Sequence, residues 1–184
     1  MKYDVRFKQY GQYVTSEAGN VFDGIRPPEL AQHECFAAGT KVQTSRGTKP
    51  IESVLPGDAV LSKDLESGEL FWDMVIATTN QPPKQTFEVK TDSETFQCTG
   101  GHLFWVSGKG WTKARELLPG DTLHGVSEPA RVASCSSIDN QPTFNLVTEK
   151  AHNYFVGTGK LLTHDFEEPE PTAIRVPGLA NLLR

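Results

Sequence analysis

Apolar and β-branched residues recur along the middle of this chain in short runs with strand-like alternation rather than helical spacing. The runs fall at 41–44, 71–78, 86–91, 95–98, 103–107, 131–134, 144–148 and 153–156. Gln81-Pro82-Pro83, Thr99-Gly100-Gly101 and Ser107-Gly108-Lys109-Gly110 lie between them. Such clusters of Gly, Pro and small polar residues mark turns. Many short, closely spaced strands predict an all-β domain broken at each of these turns. No helix longer than two turns is expected.

An internal repeat sharpens this picture. Residues 47–60 match residues 110–123 at a constant offset of 63, with Leu-Pro-Gly-Asp identical at 55–58 and 118–121. Each copy reads as a short helical turn (51–55, 114–118), a Pro-Gly turn and a strand. Two copies are too few for a solenoid, which needs about three. They predict a domain of two similar halves related by pseudo-twofold symmetry.

Composition divides the chain into three parts. Residues 1–34 are polar, with a Pro27-Pro28 break, and read as a flank; 35–165 hold nearly all the strand patterning; 166–184 open on the acidic, proline-broken Phe166-Glu167-Glu168-Pro169 and read as a tail. At 184 residues and 37% apolar content, the chain can bury one ordinary core. A net charge of -5 argues against nucleic acid or an anionic membrane as partner. No apolar run approaches the roughly 18 residues of a membrane span, and no apolar signal-peptide core follows Met1. Cys35, Cys98 and Cys135 are odd in number and irregular in spacing, which suits free thiols in a reducing compartment. A cytoplasmic monomer is the expectation.

Reactive residue types mark the edges of the middle part. It opens on Cys35-Phe36-Ala37-Ala38-Gly39-Thr40 and closes on Leu161-Leu162-Thr163-His164-Asp165, with Thr99-Gly100-Gly101-His102 and His152-Asn153 between. A thiol at one edge, Thr-x-x-His in the middle and His-Asp at the other edge suit cleavage of the chain's own backbone. In this order and spacing the motifs resemble those of the Hint family, the shared fold of inteins, hedgehog autoprocessing domains and bacterial intein-like domains. The resemblance implies a flat β disc with pseudo-symmetric halves, acting on its own flanking segments. The interval 107–131 leaves no room for an endonuclease insertion, so the likeness is to a minimal form.

That resemblance implies roles. Cys35 would attack the Glu34 carbonyl to give a thioester. His102 would donate a proton to the leaving amide nitrogen. Thr99 and the free N–H groups of the Gly100-Gly101 turn would aim at one carbonyl as oxyanion donors. At the far edge the chain departs from the family, because Asp165 stands where an active intein carries asparagine and Phe166 offers no side-chain nucleophile. Splicing is therefore unlikely on chemical grounds, and cleavage after Asp165 should be slow or absent. His164 would polarise the Asp165 carbonyl, with His152 as its helper. Asn145 occupies the place of an aspartate that helps the first step in many inteins. No cofactor or metal is expected. Two alternatives stay open: a zinc held by Cys98-x-x-x-His102, and a degenerate Hint domain serving as a non-catalytic structural or interaction module.

Overall fold

Pairing of these short runs accounts for the whole architecture of residues 34–165, which a computed structural model describes. The remainder of the expected flank, 1–33, and the tail 166–184 lie outside the described residues. Twelve strands are present among the described residues. The first half supplies β1 (Phe36–Ala37), β2 (Lys41–Thr44), β3 (Gly47–Pro50), β4 (Ala59–Lys63), β5 (Leu70–Thr91) and β6 (Thr95–Thr99). The second supplies β7 (Leu103–Val106), β8 (Gly110–Lys113), β9 (Thr122–Leu123), β10 (Ala130–Thr148), β11 (Asn153–Val156) and β12 (Leu161–His164). The paired strands run antiparallel in one continuous hydrogen-bonded network, so the domain is all-β. Its only helices among the described residues are the single 3₁₀ turns Ile51–Ser53 and Ala114–Glu116, each shorter than expected.

One expectation is corrected. The runs 71–78 and 86–91 are a single strand that passes through Pro82-Pro83, and 131–134 and 144–148 are likewise joined. β5 and β10 pair along their length, from Val132 opposite Thr91 to Thr148 opposite Val75, with four register shifts. The prolines sit beside one of these, between the Gln141–Lys84 and Thr143–Gln81 pairs. A bulge absorbs residues that cannot donate to the ladder, which is why Pro-Pro need not end a strand here.

The repeat is visible bond by bond. In both copies Leu-Pro-Gly-Asp closes a turn in which the Asp N–H donates to the Leu carbonyl at 3.0 Å (Asp58 to Leu55, Asp121 to Leu118). The Asp carboxylate in return accepts the Leu N–H at 3.0 Å. Gly57 and Gly120 take φ of 94° and 95° at the third turn position, a conformation open to glycine at little cost. Their N–H groups then donate to Val75 and Val132 at 2.8 Å, tying each copy to one long strand.

Fully buried Phe36, Phe104, Tyr154, Leu146 and Leu161 lie in one core cluster. Every residue of β11 and β12 is buried, so these strands are covered on both faces. The start of β1 is pinned between β10 and β6, with Phe36 opposite both Phe144 and Cys98. This pairing brings the N-terminal edge of the domain into its interior.

Asp58 supports the first copy twice, through the Leu55 N–H and through Lys49 at 2.8 Å. The Lys49 hydrogen bond, with the Leu55 N–H behind it, holds its carboxyl below the usual range. A depressed folded-state pKa contributes stability above the unfolded value and loses it as pH falls through the folded one. Asp58→Ala should lower Tm by about 2–4 °C at pH 7, and the gap should narrow as pH falls below the usual carboxylate range. A gap that persists unchanged below that range, read by calorimetry, would show that the carboxylate is not the cause.

Candidate functional site

Pairing of β1 into the interior carries the peptide bond between Glu34 and Cys35 with it, and two side chains hold that bond. The Cys35 N–H donates to Thr99 Oγ1 at 2.8 Å. On the other side of the peptide, the Glu34 carbonyl accepts Asn145 Nδ2 at 2.7 Å. The Asn145 amide cannot turn over without loss, because its Oδ1 already accepts the Tyr154 hydroxyl at 2.6 Å and the Leu146 N–H at 2.8 Å. Both Asn145 and Tyr154 are fully buried, and a buried amide with satisfied partners is a rigid donor.

Thr99 sits where the Thr-x-x-His pattern predicts but is not aimed at the Glu34 carbonyl. A hydroxyl has one proton, and Thr99 gives it to Glu34 Oε2 at 2.6 Å, with a longer 3.4 Å contact to the Cys35 carbonyl. The Gly101 N–H goes to the same Oε2 at 3.0 Å. A charged carboxylate outcompetes a neutral carbonyl for both donors. The side-chain donor on the Glu34 carbonyl is Asn145 instead.

His102 is fully buried, with its ring 4.0 Å from that of Phe36, the residue after Cys35. Its tautomer follows from its neighbours. Thr163 Oγ1 donates to the Leu103 carbonyl at 2.9 Å, so toward the ring it can only accept, and His102 Nε2 carries the hydrogen. Nδ1 is then a bare lone pair, with no hydrogen-bond partner in good geometry. Burial drives the pKa down to about 3, only partly opposed by the Glu34 backbone beside the ring. His102 at rest is therefore a neutral base. Any proton it passes to a leaving nitrogen must first be taken up by the ring.

The Cys35 sulfur is also buried, and burial pushes its thiol up to about 11. The hydroxyls of Thr79, 3.9 Å from Sγ, and of Thr143 pull the other way, as does the charge of Lys84, while Glu34 adds to the rise. None of Cys35, Cys98 and Cys135 is in a disulfide. Among the described residues no three His, Cys, Asp or Glu side chains converge as metal ligands, so Cys98 and His102 do not belong to such a group.

At the far edge, Asp165 Oδ2 accepts the Thr148 N–H at 2.9 Å, the Thr148 hydroxyl at 3.2 Å and His152 Nδ1 at 3.2 Å. Oδ1 lies 3.6 Å from His164 Nδ1, and the Asp165 N–H returns to the His152 carbonyl at 3.0 Å. His152 stands just before β11, with φ of 51°, rather than inside a strand. The turn that holds it there is clamped by buried Asp73, whose Oδ2 accepts the Lys150 and Ala151 N–H groups at 3.0 and 2.7 Å. His164 packs edge-on against Trp111, ring centroids 4.8 Å apart. The six expected residues thus form two groups, Cys35–Thr99–His102 and His152–His164–Asp165. Thr163 on β12, bonded to His102 and adjacent to His164, is the link between them.

The pretoxin HINT domain family model matches residues 41–165. The chain belongs to this family. A bacterial intein-like domain from Clostridium thermocellum superposes with a TM-score of 0.69 at 25% identity, over 73% of this chain and all of that one. A DnaB intein from Synechocystis shares the fold, with a TM-score of 0.63 at 16% identity over 72% of this chain and 98% of its own. Sonic hedgehog protein of Xenopus laevis is 33% identical over 76 residues, 40% of this chain and 17% of that protein. The chain is a HINT domain with an intein-like fold, a fold of self-processing domains. The family match begins after Cys35, so Cys35 is tied to the HINT domain by its place just before β1 and its hydrogen bonds with Thr99 rather than by that match.

Tyr154 and Thr163 lie within the sequence motifs but carry no role legible from them, and Asn145 reads from sequence only as a departure from aspartate. Their weight comes from partners 111, 9 and 61 residues away, which no local motif encodes. Among the described residues, no helix is long and apolar enough to cross a membrane.

The tautomer can be checked directly. Nitrogen-15 spectra should show His102 protonated at Nε2 alone and unchanged from pH 5 to 8. A midpoint near the ordinary value of about 6.5 would mean that the ring is not sealed from water.

Proposed function

We propose that this HINT domain cuts its own backbone at Glu34–Cys35 by an N–S acyl shift. Cys35 Sγ bonds to the Glu34 carbonyl carbon, the C–N bond to Cys35 breaks, and the thiol proton ends on the freed amine. The observation that carries this is the Asn145 Nδ2 to Glu34 carbonyl bond of 2.7 Å, a buried donor waiting where negative charge would develop. Neutral His102, with an open Nδ1 beside the Glu34 backbone, is suited to take the thiol proton and return it to nitrogen. Base assistance matters because a thiol at about 11 carries almost no thiolate at neutral pH.

The thioester lies uphill of the amide, so water or an external thiol must drain it. Splicing has no acceptor in Phe166. At the other edge an aspartate carboxylate is a poor nucleophile toward its own carbonyl, and the Asp165 carboxylate is already engaged by Thr148 and His152. Cleavage after Asp165 is therefore slow or absent, with His164 and His152 to assist it.

Intact mass of the full chain in dithiothreitol should reveal loss of residues 1–34, abolished in Cys35→Ala. Equal masses for the two proteins would leave a degenerate, non-catalytic HINT module as the answer. Asn145→Ala should slow the same cleavage by about 10²–10³-fold while near-native circular dichroism is kept. An unchanged rate would remove Asn145 from the mechanism. Asp165→Asn restores the amide needed for succinimide closure and should speed release of residues 166–184; the same tail-release rate in both proteins would contradict this.

A further inference from the structure

The side chain of Glu34 is held more tightly than a boundary residue needs to be. Its Oε2 takes two donors at once, the Thr99 hydroxyl at 2.6 Å and the Gly101 N–H at 3.0 Å. Room for it exists only because residue 101 has no side chain. A Cβ on Gly101 would stand 1.9 Å from Oε1 and 2.2 Å from Cδ of Glu34. Gly101 is not among the residues with positive φ, so its backbone does not itself demand glycine. What demands glycine is the carboxylate. Its neighbour Gly100 is explained separately, by the Phe87 ring 2.6 Å from where its Cβ would be.

From this we infer that Thr99 and Gly101 form a recognition subsite for a carboxylate side chain on the residue preceding the scissile bond, with Glu34 as its native occupant. The inference rests on Glu34–Cys35 being the bond attacked. The grip links three points. The same Thr99 oxygen that donates to Glu34 accepts the Cys35 N–H, and Asn145 holds the Glu34 carbonyl. Filling the notch therefore orients the hydroxyl lone pair at the peptide nitrogen and sets the peptide plane against the Asn145 donor. Glutamate is the right length for this, and aspartate is one methylene short. Glutamine keeps an acceptor oxygen but loses the charge-assisted strength. Lysine would set a cation against two donors. The carboxylate does not help the thiol ionise, since its charge works against Cys35; its benefit is positional.

A double-mutant cycle in the full chain isolates the contact. With Glu34 present, Gly101→Ala should slow thiol-induced cleavage about tenfold or more. With Glu34→Ala, the same Gly101→Ala change should cost less than about twofold, because the new methyl fills space that the carboxylate has vacated. Equal slowing in both backgrounds, or equal rates for Glu, Gln, Ala and Lys at position 34, would overturn the subsite. A second readout is independent of cleavage. In Cys35→Ala protein, the Gly101 amide proton should resonate downfield as a donor to a carboxylate, and Glu34→Ala should move it upfield. A chain that never cleaves while the Gly101 amide follows Glu34 would defeat the proposed function and leave the subsite standing. A Gly101 amide that ignores residue 34 would defeat the subsite whatever the cleavage does.

Discussion

The fixing of one peptide unit, between Glu34 and Cys35, is the constraint on which the rest of this structure turns. Its N–H is bonded to Thr99 and its carbonyl to Asn145. Each of those side chains is itself held by further partners, Thr99 by Glu34 and Asn145 by Tyr154 and Leu146. A side chain with its rotamer and polar atoms committed is a preorganised donor or acceptor, and reorganises little when charge appears beside it. β1 is only two residues long, yet its pairing with both β10 and β6 delivers the peptide to that frame.

Burial has opposite consequences for the two titratable groups at this peptide. It raises the Cys35 thiol to about 11 and lowers the His102 imidazole to about 3. Both shifts express one cost, that of charge in a poorly solvated place. Thiol and imidazole are accordingly both neutral at rest. Thr163 fixes which imidazole nitrogen carries hydrogen, so a residue of the last strand orients a ring packed beside the first.

The far edge is built from the same materials but arranged for stability. Asp165 is an acceptor for three donors, and the clamp of Asp73 on the 150–151 backbone keeps His152 in a left-handed conformation beside it. A carboxylate accepts from all of these with ease. That role accounts for aspartate at this position in structural terms, whatever it withholds from cleavage.

Local information was enough for much of this protein. Period-two patterning and turn residues announced an all-β chain, and Leu-Pro-Gly-Asp at a constant offset announced its two similar halves. Cysteine, Thr-x-x-His and His-Asp in order announced which residues to watch. These features are legible because turn chemistry and strand alternation act over a few residues. Only the tertiary structure decided that strands run on through Pro82-Pro83, that Thr99 serves the peptide nitrogen and Glu34 rather than the carbonyl, and that Asn145 serves the carbonyl. Those outcomes depend on which donor reaches which acceptor across 64 to 111 residues of chain. Competition among hydrogen bonds in a closed core is settled by geometry, and no stretch of sequence contains it.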